Sequence, residues 1–94
     1  MSLSFAAEAA ARWRSLCNSA DVYDQRVRQA VASVLRRLAE APERHRIGAI
    51  QFQTTPVTWA QVVEIDDGAD WIVIWTSDSE RELRVLRIEP APSM

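Results

Sequence analysis

Val57-Thr-Trp-Ala-Gln-Val-Val-Glu-Ile65, Trp71-Ile-Val-Ile-Trp-Thr76 and Leu83-Arg-Val-Leu-Arg-Ile-Glu89 are three short apolar runs in succession. Asp66-Asp67-Gly68 follows the first and Ser77-Asp78-Ser79 the second. Gly accepts positive φ, and Asp and Ser bond to nearby backbone, so both links read as turns. The stretch is therefore an antiparallel meander. In its first strand Val57, Trp59, Val63 and Ile65 share one parity, interrupted only by Gln61. That is the period of two of a half-buried strand. The Trp71–Trp75 run is apolar on both parities, which places it mid-sheet with both faces covered. In the last strand Arg84 and Arg87 fall on opposite parities. Pro90 and Pro92 end the sheet and leave residues 90–94 as a loose tail.

Two helices precede the meander. Phe5, Ala9, Trp13 and Leu16 recur on one helical face, and Ala6, Ala10 and Cys17 widen it. The first helix is expected from Phe5 to about Cys17, with Ser4 as a cap; alternatively Met1–Ser4 pairs as a short edge strand. Glu8, Arg12 and Arg14 face elsewhere. Asn18-Ser19-Ala20-Asp21 supplies a break with capping residues. A second helix runs from about Val22 to Glu40 on a stripe of Val27, Ala30, Val31, Val34, Leu35 and Leu38, and Pro42 stops it. Two amphipathic helices on a short link make an antiparallel hairpin. Ile47–Gln53 reads as a fourth strand, and Thr54-Thr55-Pro56 as a turn.

The expected fold is thus α+β, a single domain over 1–94. A helical hairpin over 3–41 packs on a three- to four-stranded antiparallel meander over 47–89. Ninety-four residues bury only roughly 60–65% of their unfolded-chain surface, so a partner that adds burial would matter. No apolar run approaches the roughly 20 residues of a membrane span, and no secretion signal opens the chain. The single cysteine, Cys17, cannot pair internally, which fits a reducing cytoplasm. The net charge of −2 argues against a surface built to displace many counterions from nucleic acid. All eleven basic residues are Arg, a count that coding bias produces without any anion-binding role.

Several groups bear chemistry. Arg44-His45-Arg46 joins two cations to an imidazole, a set able to hold an anion or move a proton near neutral pH; without an identifiable orienting partner it reads first as a solvated loop. Cys17 reads as a small buried hydrophobe. Glu64, Asp66, Asp67 and Asp70 surround Gly68 as a turn, not a cation loop, and neither His nor Cys shows metal spacing. No metal or cofactor is implied. Trp71 and Trp75, on one parity, could stack bases or anchor a partner; a helix-facing core accounts for them better. Glu80-Arg81-Glu82 with Arg84 and Arg87 is a mixed-charge edge that discourages aggregation.

The order of elements resembles the RelE/ParE superfamily of small bacterial toxins over residues 3 to 89. Phe5-Ala-Ala-Glu-Ala-Ala-Ala-Arg-Trp-Arg-Ser-Leu16 is similar to the family's opening helix. Trp71-Ile-Val-Ile-Trp75 is similar to its aromatic-Arg-Val-Ile-Tyr strand, and Val85-Leu-Arg-Ile88 to its closing Val-Leu-Arg-Val. The resemblance implies an antitoxin partner that wraps the chain. It also implies one of two activities: ribosome-dependent mRNA cleavage, or binding to gyrase. The chain departs from the nuclease pattern. Ile72 stands for the strand's Arg, Glu64 for a basic residue on the preceding strand, and Glu89-Pro90-Ala91 for a closing Gly-His-Arg; only Arg87 survives. Three readings follow. The first is a toxin-family protein acting by protein binding. The second is a degenerate endoribonuclease using Arg84, Arg87 and His45. The third is a self-associating accessory domain, a homodimer in its simplest form.

Overall fold

The computed structural model describes residues 3–40, 50–52, 58–65, 68–77 and 83–91. Its elements are β1 (Leu3–Phe5), α1 (Ala7–Asn18), α2 (Val22–Glu40), β2 (Ile50–Phe52), β3 (Thr58–Val63), β4 (Trp71–Ser77) and β5 (Leu83–Pro90). The strands form one sheet in the order β1-β5-β4-β3-β2. Strands β2 to β5 pair antiparallel with their neighbours, which is the expected meander. A fifth strand extends it: β1 pairs with β5 in parallel, Leu3 opposite Leu83 and Phe5 opposite Val85.

That N-terminal strand decides how α1 begins. Ser4 lies inside β1 and does not cap the helix. Ala6 holds the N-cap position with no side-chain bond, and its N–H donates to Val85 O at 2.8 Å. A sheet bond thus satisfies the N-cap residue's own N–H, the group that the returning carboxylate of a capping box usually takes. The start of α2 is capped by side chains. Asp21 Oδ1 accepts the Asp24 N–H at 3.1 Å, and Ser19 Oγ donates to Asp24 Oδ2 at 2.7 Å, so the break at 19–21 is bonded at both sides.

One face of the sheet carries Trp71, Val73 and Trp75 of β4 with Val63, Leu83, Val85 and Ile88 of its neighbours. Against it pack Ala9 and Leu16 of α1 and Val27, Val31, Leu35 and Leu38 of α2. The apolar stripe of α2 is the one its sequence period marks, with Ala30 and Val34 half-buried beside it. Each large apolar side chain removed from water here stabilises by roughly 1.5–3 kcal/mol before entropy is counted. Cys17 is exposed, not a buried hydrophobe. Its position after Leu16 carries it round the helix, away from the sheet.

The edge of the core near the β3–β4 link is tied by polar bonds. Trp71 Nε1 donates to Tyr23 Oη at 3.1 Å, and the Tyr23 hydroxyl donates to Ala69 O at 3.2 Å. The Arg12 guanidinium sits 5.5 Å from the Trp71 ring centroid, a cation–π distance. Gly68 lies so close to Tyr23 that a Cβ there would collide with Cε1 of the ring. Gly68→Ala is therefore expected to destabilise by about 1–3 kcal/mol, the usual cost of overpacking, lowering the urea midpoint at constant slope. An unchanged midpoint would mean that Tyr23 moves aside freely.

The register of β5 contains a surprise. Trp75 pairs with Val85, but Ile74 pairs with Arg87, leaving Leu86 as an extra residue in a bulge. The bulge resets the parity of the strand. Arg84 and Arg87, on opposite parities in sequence, therefore lie on the same face of the sheet, and both are exposed. Strand β5 also runs through Pro90, and the Ala91 N–H donates to Asp70 O at 2.9 Å. The last strand thus extends past the expected start of the tail.

Candidate functional site

The face of the sheet turned away from the helices is ordered by the register into rows. Thr76 lies beside Arg84, Ala60 beside Ile74 and Arg87, and Val62 beside Ile72 and Glu89. Glu64 continues the parity of Val62 just beyond β3 and is exposed. The positions at which the resemblance implies phosphate-binding and proton-moving residues, 64, 72 and 89, are thereby gathered at one end of this face, where Ile72 and the neighbouring Ala60 are themselves buried. They carry a carboxylate, an isoleucine and a second carboxylate.

Arg87 sits one row away, and its guanidinium is engaged. Nη2 lies 3.1 Å from Glu8 Oε2 in the first turn of α1, and Nη1 lies 3.6 Å from Glu89 Oε2. Arg12, Ile88 and these three residues line a cleft of about 70 Å³. A phosphate entering it meets two carboxylates together with two guanidinium groups. Oxyanion stabilisation needs preorganised donors aimed at developing charge, and the carboxylates oppose that charge. Arg84 stands on the same face, exposed, beside Thr76 and Ser4.

The tryptophans marked as a binding pair lie on the helix side. Trp75 is 0% exposed and Trp71 5%. A ring with no open face cannot stack on a base, so in this state both belong to the core. Arg44, His45 and Arg46 lie outside the described residues. Sequence reading passed over Glu8, Arg12 and Tyr23, since each pairs with a residue at least 46 positions away, and no local pattern reports that. Among the described residues no cluster of three or more His, Cys, Asp and Glu is arranged to hold a metal ion.

A larger groove of about 450 Å³ runs between α2 and β3, lined by Ala30, Ser33, Val34 and Arg37 on one side and Gln61, Val62, Val63 and Glu64 on the other. Arg37 is steadied at its mouth by Ser33, Nη2 donating to Ser33 Oγ at 3.1 Å. The groove is partly apolar with a charge of each sign, a composition suited to a peptide more than to a polyanion.

No protein-family model matches the chain, and no curated protein matches it. A solved structure does: a YoeB/ParE toxin from Agrobacterium tumefaciens, at 12% sequence identity and a TM-score of 0.65, covering 98% of this chain and all of that one. The chain therefore has a RelE/ParE-like toxin fold. Among the described residues no helix is long and apolar enough to cross a membrane.

Proposed function

We propose that this protein is a toxin-family domain that acts by binding another protein, an antitoxin or a gyrase-type target, and not by cleaving RNA. The observation that carries the reading is the composition of the sheet face turned away from the helices. Positions 64, 72 and 89 converge there as Glu, Ile and Glu, and the neighbouring Arg87 is paired with two carboxylates. General acid–base transfer needs a titratable group within hydrogen-bond reach of the reacting oxygen, and phosphoryl transfer needs uncompensated positive charge. Protein binding needs neither. The groove between α2 and β3, with its half-buried Val34 and exposed Val62, offers apolar area to a partner helix or strand.

Inducible expression in a bacterial host, with growth followed beside a primer-extension map of mRNA ends, tests this. Growth arrest without new ends inside codons is the expected result. Arg87→Ala should leave the arrest intact and cost the fold no more than about 1 kcal/mol, as for exposed ion pairs. Codon-internal cuts that vanish in Arg87→Ala would instead establish the degenerate nuclease using Arg84, Arg87 and His45. No arrest at all would leave self-association without toxicity.

A further inference from the structure

We infer that the groove between α2 and β3 takes an extended segment of a partner as an added strand, antiparallel to β3, with a cation opposite Glu64 and a carboxylate at Arg37. The inference rests on the protein-binding reading above and gives the partner segment its chemistry. The direction of the main chain carries it. The Ala91 N–H donates to Asp70 O, so Asp70 turns its main-chain groups toward β5. Successive residues of a strand alternate in this respect, so Trp71, Val73 and Trp75 turn theirs toward β3. Their partners there are Val63, Gln61 and Trp59. Ala60 and Val62 therefore point theirs the other way, toward β2. Ile50, the first residue of β2, meets Ala60. Among the described residues Val62 thus has an N–H and a C=O with no strand opposite them. The C=O is held instead by Gln61, whose Nε2 donates to it at 3.2 Å. That bond accounts for the one polar residue on the apolar parity of β3: a carboxamide stands where the N–H of a neighbouring strand would. A helix in the groove has its own main-chain groups bonded internally and offers Val62 none.

The charges fix the segment. Tyr23, near the start of α2, lies against Gly68 and Trp71, beyond the Val63 end of β3. Arg37 is about four turns further along the helix and so lies toward the Gln61 end, while Glu64 closes the other. Ser33 accepts from Arg37 Nε and Nη2, and a guanidinium has donors beyond those. At about 3.3 Å per residue, Gln61–Glu64 present roughly 10 Å of edge, which four residues match. Side chains opposite Gln61 and Val63 turn to the helix side, and those opposite Val62 and Glu64 turn away from it. In the antiparallel direction the segment is Arg-Val-Val-Glu. Its cation lies beside Glu64, and its first valine packs on Ala30 and Val34. The second valine lies beside the exposed Val62 and exchanges both main-chain bonds with it, as residues directly opposite in an antiparallel pair do. The carboxylate reaches Arg37.

Titration of the full chain with the acetylated and amidated peptide Ser-Arg-Val-Val-Glu-Ser, followed by heteronuclear NMR, tests the inference. Binding is expected below about 1 mM, with the Val62 amide protected from hydrogen exchange and the Gln61 carboxamide resonance shifted. N-methylation of the second valine removes the donor to Val62 O and should weaken binding about tenfold, the loss of one main-chain hydrogen bond. Reversing the order to Ser-Glu-Val-Val-Arg-Ser should weaken it as much. Arg37→Glu should reject the first peptide and accept Ser-Arg-Val-Val-Lys-Ser. A parent protein that does not bind the first peptide overturns the inference. So does indifference to N-methylation, which would mean docking by side chains alone, and so does a peptide that binds as a helix. The peptide changes decide the matter even where Arg37→Glu disturbs the fold. Growth arrest without mRNA cuts, beside a peptide that fails to bind, removes the added strand and keeps the protein-binding reading. Peptide binding by a chain that cuts mRNA does the reverse.

Discussion

Trp75→Ala is expected to remove about 3–5 kcal/mol of stability, the range for large aromatic truncations. A domain of this size holds roughly 5–15 kcal/mol in all, so the variant should be largely unfolded well below the parent's midpoint. Trp75 is fully buried at the centre of the sheet, opposite Trp59 on β3 and Val85 on β5. Its indole Nε1, however, is buried without a hydrogen-bond partner among the described residues. An unsatisfied buried donor costs about 1–3 kcal/mol. Trp75→Phe removes that cost while leaving a smaller ring and some empty volume. The two effects oppose each other, and the Phe variant should stay within about 1 kcal/mol of the parent, a shift typical of tolerated apolar exchanges. Urea unfolding of the three proteins compares them directly. A Phe variant as damaged as the Ala variant would show that the indole makes a bond in solution.

Trp71→Ala should be similarly severe, about 3–5 kcal/mol, but Trp71→Phe should behave differently from its counterpart at 75. The Trp71 indole donates to Tyr23 and carries Arg12 over its ring. Phe keeps an aromatic face for the guanidinium but loses the donor, at about 0.5–1.5 kcal/mol for one hydrogen bond. A double-mutant cycle with Tyr23→Phe isolates that bond. Coupling near zero would mean that the Tyr23 hydroxyl is held by Ala69 O alone. Two tryptophans in one strand, four residues apart and on one face, thus separate on whether the indole nitrogen has a partner among the described residues.

The period of two in β3 and the doubly apolar run of β4 were legible because both report burial, and burial is written in local alternation. The stripe of α2 was legible for the same reason, with the period of a helix. The bulge at Leu86 was not. It inserts one residue without any Gly or Pro to mark it, and so Arg84 and Arg87 read as opposed when they share a face. Cys17 misled because a lone Cys on the margin of an apolar stripe looks the same whether it turns inward or outward. At the candidate site the missing residues Ile72, Glu64 and Glu89 were readable only through the resemblance. That they converge is a property of the β3–β4–β5 register. The pairing of Glu8 with Arg87 joins the two ends of the chain, and no window of sequence contains both.

The parallel pairing of β1 with β5 has a consequence for synthesis. Leu3 finds its partner in Leu83. At about 5–20 residues per second, roughly 4–16 s separate the emergence of one from the other. Until then α1 starts from an unpaired strand, and the bond from Ala6 to Val85 that fixes its first turn does not exist. A ribosome stalled before codon 83 would release or hold a chain with both helices made and the apolar face of β4 lacking one flank. The sheet is therefore completed only when Leu83–Pro90, the last of its strands in chain order, has been made.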